Sequence, residues 1–238
     1  KRALLELGGN AAAIVYHDAA ELGRALDALT TSAFAYAGQV CIKTQRIYVH
    51  DTLFDEVLAG LAERAARLAP EEPTAAVGVL GPMIDAASAA RVDAWVDEAL
   101  ASSSAGVRAA HRAGRDGARL GPAVLTCQGE PRGLRVVEEE AFGPVLVVRR
   151  YAELAEALEE VNASRYGLQA GLFTDSARAI DLAFDALDVG GLVVNDTPSF
   201  RSDAMPYGGM KDSGLGREGV AHAVLEYTAP KMLVTRRG

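Results

Sequence analysis

The segment FAYAGQVCIKTQRIYVH places one cysteine, Cys41, at a joint between a helix-like run and a strand-like run. A thiol there is either a nucleophile or a small buried hydrophobe. Gly38 permits close backbone approach just ahead of it, and irregular joints on a rigid scaffold are where reacting side chains collect. Cys127, inside the strand-like AVLTC, reads as core. A carboxylate, Glu6, interrupts the apolar run ALLELGG and is followed by Gly8 and Gly9. It is either the solvent face of an edge strand or a base in a partly apolar pocket, where burial raises a carboxyl pKa. Glu138, Glu139 and Glu140 precede AFGPV, and an acidic run of this kind by itself reads as a solvated turn. Late in the chain, DTPSFRSDAMPYGG carries Arg201 and Asp203 in a loop without period.

Other chemistries find little support. GLGREG, from Gly214 to Gly219, matches G-x-G-x-x-G letter for letter, but no strand-like run leads into it, so its glycines shape a loop and a helix start. No phosphate-loop signature, G-x-S-x-G or zinc spacing occurs, and His17, His50, His111 and His222 stand apart, so no metal site is expected. The 24 Lys and Arg against 32 Asp and Glu give a formal charge of -8, which argues against nucleic acid as a partner. Two cysteines are too few for a disulfide framework and fit a reducing cytoplasm. No secretory apolar region and no long uncharged run suggests a membrane segment. The chain opens at Lys1 and is apolar within a few residues, so a piece of a longer polypeptide is expected.

The elements that must hold these groups follow from the hydrophobic pattern. Half of the 238 residues are hydrophobic, enough for a sizeable core. AAIVY, RIYVH, AVLTC, PVLVVRRY, AGLFT and GLVVND read as strands, alternating with amphipathic runs. Asp18 is expected to cap a helix through about Ala37, Asp51 one through DTLFDEVLAGLAERAARLA, and Asp85 one through AASAARVDAWVDEAL, with Val92, Trp95, Val96 and Ala99 facing the core. Further helices are expected over AELAEALEEVNASRYG, DSARAIDLAFDALDVG and GVAHAVLEY. The alternation predicts an α/β domain with an open, mostly parallel sheet flanked by helices. Residues 197–216 read as a long loop, and KMLVT as a closing strand.

Taken together, LELGGN, GQVC, EEEAFGPV, NASRYGLQAGLFT and MPYGGMKDSGLGREG resemble, in order and approximate spacing, the aldehyde dehydrogenase superfamily. The resemblance spans nearly the whole chain and falls on the second half of such an enzyme. It implies a catalytic domain over residues 1–230 and an oligomerisation strand over 231–238 that docks on a neighbouring subunit of a homo-oligomer. The dinucleotide-binding half is expected to lie outside this sequence.

By that resemblance Cys41 is the nucleophile that forms a thiohemiacetal and then a thioester. Glu6 is the base that activates the hydrolytic water, and the cofactor is NAD or NADP. Glu140 is the glutamate that holds the nicotinamide ribose, with Phe142 beside it, and Asn195 matches an asparagine bordering the active site. The departures are Asn10, where many members carry lysine, and the polar loop with Arg201. Arg201 suits a small hydroxylated or anionic aldehyde, or else pairs locally with Asp196 or Asp203. Two rival readings are a non-catalytic remnant of the fold and a cofactor-independent thiol esterase.

Overall fold

The computed structural model describes residues 3–71, 79–129 and 131–238. In chain order, β1 (Leu5–Glu6) and β2 (Ala12–Val15) precede α1 (Leu22–Phe34), followed by β3 (Arg46–His50), α2 (Phe54–Ala66) and α3 (Ala86–Ala101). Next come β4 (Val107–Arg112), the hairpin β5 (Arg115–Asp116) and β6 (Arg119–Leu120), β7 (Ala123–Cys127), the short α4 (Arg135–Glu138) and β8 (Val145–Tyr151). The last third holds α5 (Leu154–Asn162), β9 (Tyr166–Gly167), β10 (Gln169–Phe173), α6 (Ala177–Ala186), β11 (Gly191–Val194), β12 (Met210–Lys211), β13 (Gly214–Leu215) and α7 (Val220–Tyr227).

Seven strands form the central sheet in the order β11-β10-β2-β3-β8-β7-β4. Neighbours are parallel except β4, which returns antiparallel beside β7. The inner strands β2, β7 and β10 and the first four residues of β8 are buried on both faces because both faces are covered. Ala13, Val15, Ile47, Val49, Leu146 and Val148 pack under α1 and α2 through Leu26, Leu29, Val57 and Leu61. The alternate residues Ile14, Tyr48 and Leu172 face α5 and α6, and Val145 and Val147 face α3. Burial of such side chains, worth roughly 1.5–3 kcal/mol each, makes the three-layer arrangement the stable one.

Helix boundaries depart from the sequence expectation at two aspartates. Asp18 does not cap α1; it accepts a hydrogen bond from the Thr174 hydroxyl at 2.6 Å, and the helix starts after Glu21 in a left-handed conformation (φ 50°). Asp51 lies in a turn before α2, whose cap position is Leu53 without a side-chain bond. Asp85 does cap α3, accepting from the Ser88 N–H at 2.7 Å. The loop over 197–216 is broken by β12 and β13, which pair outside the main sheet with β9 and β1. Residues 231–238 carry no strand, and Met232, Leu233 and Val234 are 84%, 90% and 77% exposed. Among the described residues no helix is long and apolar enough to cross a membrane.

Candidate active site

Cys41, Glu140 and Phe142 meet at the amino ends of β2, β3 and β8, on the segments that lead into these strands. This is opposite to the carboxyl-end crevice where ligands of open parallel sheets usually bind. The sequence makes this geometry through backbone turns that few residues tolerate. After α1, Tyr36, Ala37 and Gly38 all adopt left-handed φ values of 55°, 56° and 67°. A Cβ on Gly38 would stand 2.2 Å from the Gly143 carbonyl oxygen, so only glycine lets this turn press against the segment before β8. Gln39 pins the turn, donating to the Tyr36 carbonyl at 3.1 Å and accepting from the Ile84 N–H at 2.8 Å. Cys41 follows, partly buried, and among the described residues its backbone N–H meets no acceptor.

Gly9 closes the other side. A Cβ there would stand 2.3 Å from the Cys41 carbonyl oxygen, and its N–H donates to Glu140 Oε1 at 2.8 Å. Gln45 holds the glutamate turn from β3's entry, donating to the carbonyls of Val136 (3.0 Å) and Glu139 (2.7 Å) and accepting from the Ala141 N–H (3.0 Å). Burial pushes the Glu140 carboxyl up, against the pull of the Gly9 N–H, Lys43 and Arg91. Lys43, fully buried, donates to the Val145 carbonyl at 2.7 Å, and burial pushes its ammonium down to about 7, opposed by Glu140. An open cleft of about 460 Å³ results, lined by Leu7, Gly8, Gln39, Val40, Cys41, Glu140 and Phe142. A larger cavity of about 720 Å³, beside Arg46, Arg149 and Glu160, holds none of the predicted groups.

Glu6 sits in β1, opposite Gly214 of β13. Burial first, then Glu218, raises its carboxyl, while Arg201 and Arg217 lower it. Its Oε1 is shielded from solvent and has no hydrogen-bond partner among the described residues. Tyr207, 4% exposed, is within hydrogen-bond distance of the cysteine, its hydroxyl 3.2 Å from Cys41 Sγ. Arg201 pairs with neither Asp196 nor Asp203; it binds Glu218 at 2.5 Å and lies over the Tyr207 ring, 4.1 Å from its centroid. The start of the loop is tied to the cysteine segment by Ser199, whose hydroxyl donates to the Ile42 carbonyl at 3.0 Å.

Cys41, Glu140 and Phe142 therefore share one cleft, and Glu6 and Arg201 converge on Tyr207 beside the sulfur. Asn195 does not join them. It takes φ 55° after β11, accepts from the Thr174 N–H at 2.9 Å and lines a separate hollow with Phe173, Asp175 and Glu21. Sequence reasoning passed over Tyr207, Glu218, Lys43 and Gln45. The first two lie inside MPYGGMKDSGLGREG, so a polar ring in that motif was the available signal. Among the described residues no group of three or more His, Cys, Asp or Glu side chains gathers to hold a metal.

Comparison with known proteins supplies an independent line. Residues 1–233 match the aldehyde dehydrogenase family. Over 234 residues the chain is 40% identical to the 3-sulfolactaldehyde dehydrogenase of Priestia megaterium, covering 98% of this chain and 48% of that protein. The crystal structure of aldehyde dehydrogenase 21 from Physcomitrella patens, in complex with the reaction product succinate, superposes with a TM-score of 0.92 at 38% identity, over 98% of this chain and 47% of that one. Glyceraldehyde-3-phosphate dehydrogenase from Methanocaldococcus jannaschii, complexed with NADP, does so with a TM-score of 0.86 at 34% identity, over 94% and 47%. The chain spans about half the length of the curated relatives it matches.

Proposed function

Because the chain belongs to the aldehyde dehydrogenase family, we propose that it is the catalytic portion of an NAD(P)-dependent enzyme that oxidises a small anionic or hydroxylated aldehyde to the acid. The observation that carries this is the single cleft in which a partly buried thiol, Cys41, faces Glu140 and Phe142 while its backbone N–H meets no acceptor among the described residues. The Cys41 thiol gives its proton to water, its Sγ thiolate attacks the aldehyde carbon, and the carbonyl oxygen becomes an oxyanion that the Cys41 N–H can receive. Glu140 and Phe142, a carboxylate and an exposed ring on the same cleft wall, fit the ribose and nicotinamide end of a dinucleotide. When bound there, NAD(P) supplies the acceptor for the hydrogen and electron pair that leave the tetrahedral carbon. A thioester on Cys41 remains. Glu6, with one carboxyl oxygen free of partners, takes a proton from water as that water attacks the thioester, releasing the acid and restoring the thiol.

The substrate class rests on Arg201, a guanidinium 44% exposed at its side chain that Glu218 satisfies only in part. Three relatives act on or hold acid-bearing compounds by name, a sulfonate, a carboxylate and a phosphate, which supports the same class here. The apolar residues 232–234, exposed and unpaired, support the docking of residues 231–238 as a strand on a neighbouring copy. The test is C41A in the full-length polypeptide, assayed for NAD(P)-linked oxidation of acid-bearing aldehydes, with brief iodoacetamide labelling of the parent. Loss of oxidation and preferential labelling of Cys41 over the buried Cys127 are expected. Retained oxidation in C41A would overturn the assignment, and ester hydrolysis without any NAD(P)-linked activity in the parent would turn it into a thiol esterase.

A further inference from the structure

Cys41 Sγ has one side-chain hydrogen-bond partner among the described residues, the Tyr207 hydroxyl at 3.2 Å. Tyr207 is held more firmly than a loop residue needs to be. Its N–H donates to the Glu218 carbonyl at 3.1 Å, and its own carbonyl accepts from the Glu218 N–H at 2.6 Å. Its ring lies under the Arg201 guanidinium, which is itself anchored on the Glu218 carboxylate. The other ring contacts are apolar, with Ile42 and Leu168 in the same small cluster. A rotating phenol is thus fixed with its oxygen on the sulfur.

We propose that Tyr207 is a positioning residue for the nucleophile: its hydroxyl donates to the Cys41 thiolate, fixing the sulfur toward the cleft and stabilising its charged form. This rests on Cys41 being the nucleophile proposed above. A thiolate can only accept, so once the thiol proton has left to water, the bond runs from the phenol to sulfur, and Tyr207 keeps its own proton. Burial, then the bond to Cys41, pushes the phenol's ionisation far above its ordinary range, so it remains a donor through the working pH range. The charged groups around this pair are Glu6 from β1, Glu140 from the turn before β8, and Arg201, Arg217 and Glu218 from the loops flanking β12 and β13. Phenylalanine at 207 would leave the ring, its arginine cap and these charges in place and remove only the donor.

The test is the pH dependence of Cys41 alkylation by iodoacetamide, read by peptide mass spectrometry on the full-length polypeptide and its Y207F variant without aldehyde or cofactor. A donor to a charged acceptor predicts that the Y207F profile moves to higher pH by about one unit, so that labelling near pH 7 slows roughly tenfold while the high-pH rate stays similar. An unchanged profile, or one moved to lower pH, in a folded Y207F overturns the proposal. Should Y207F fail to fold, 3-fluorotyrosine placed at 207 decides: its more acidic hydroxyl is the stronger donor, so the profile moves to lower pH, and no movement overturns the proposal. Because alkylation needs no turnover, this outcome speaks of Tyr207 alone, whereas retained aldehyde oxidation in C41A speaks against Cys41 as nucleophile.

Discussion

Replacing Glu6 by glutamine keeps the shape of the side chain and removes its capacity to take a proton. General-base assistance is worth typically ~10²–10⁴ in rate, so thioester hydrolysis, and with it steady-state turnover, should fall by about that factor while acyl-enzyme formation is spared. The fold adds a second expectation, on stability. Burial and Glu218 raise the Glu6 carboxyl in the folded chain over the opposing pull of Arg201 and Arg217, whereas in the unfolded chain it titrates in the ordinary range. A raised folded value favours the protonated form, so the contribution of Glu6 to stability is fully present below the unfolded pKa and is lost as pH rises through the folded one. At pH 7 the charged carboxylate therefore works against folding, and its partnerless Oε1 is part of the reason. E6Q should melt at or above the parent at pH 7, an advantage that shrinks toward acid. In rapid mixing, E6Q should show a burst of NAD(P)H followed by slow turnover. In the parent, turnover should fall with acidity along a limb displaced above the ordinary carboxylate range. Loss of the burst in a folded E6Q, or a melting point well below the parent's, would refute this account of Glu6.

Replacing Arg201 by leucine should raise KM for acid-bearing aldehydes by roughly 10-fold, the low end for a charge-assisted bond because the guanidinium is partly solvated, and leave uncharged aldehydes nearly unaffected; equal effects on both classes would assign Arg201 to Glu218 and Tyr207 alone. Lys43, pushed down to about 7 by burial, loses its stabilising contribution as pH falls through that value. The parent should therefore gain on K43M in urea midpoint between pH 7 and about 10, and a constant gap would contradict the buried, neutral-prone amine. Gly38→Ala places a Cβ 2.2 Å from the Gly143 carbonyl oxygen at φ +67°, so a loss of roughly 2–5 kcal/mol from left-handed strain and overpacking is expected in thermal unfolding, with altered alkylation of Cys41. A G38A variant as stable as the parent would mean the turn can relax away from the Gly143 carbonyl.

The central strands were legible in the sequence because a strand buried on both faces leaves a short, nearly continuous apolar run, as in AAIV of β2 and VLVV of β8. Asp85 was legible as a cap for a similar local reason: its carboxylate reaches the N–H three residues on. Asp18 and Asp51 carry the same side chain at plausible positions and cap nothing, because their local surroundings offered other partners or a turn. Likewise the antiparallel return of β4 depends on which edge of the sheet remains open, and that is a property of the assembled sheet. The motifs, through their resemblance to the aldehyde dehydrogenase superfamily, were enough to nominate Cys41, Glu6, Glu140 and Phe142. It could not say that Asn195 turns away, that Arg201 finds Glu218, or that Tyr207, 166 positions from Cys41, sets its hydroxyl on the sulfur. Short-range patterns record propensity and burial, which each segment carries by itself. Partner choice among charged and polar groups is settled by the geometry in which distant segments meet and by how much water that meeting excludes, and only the tertiary structure contains either.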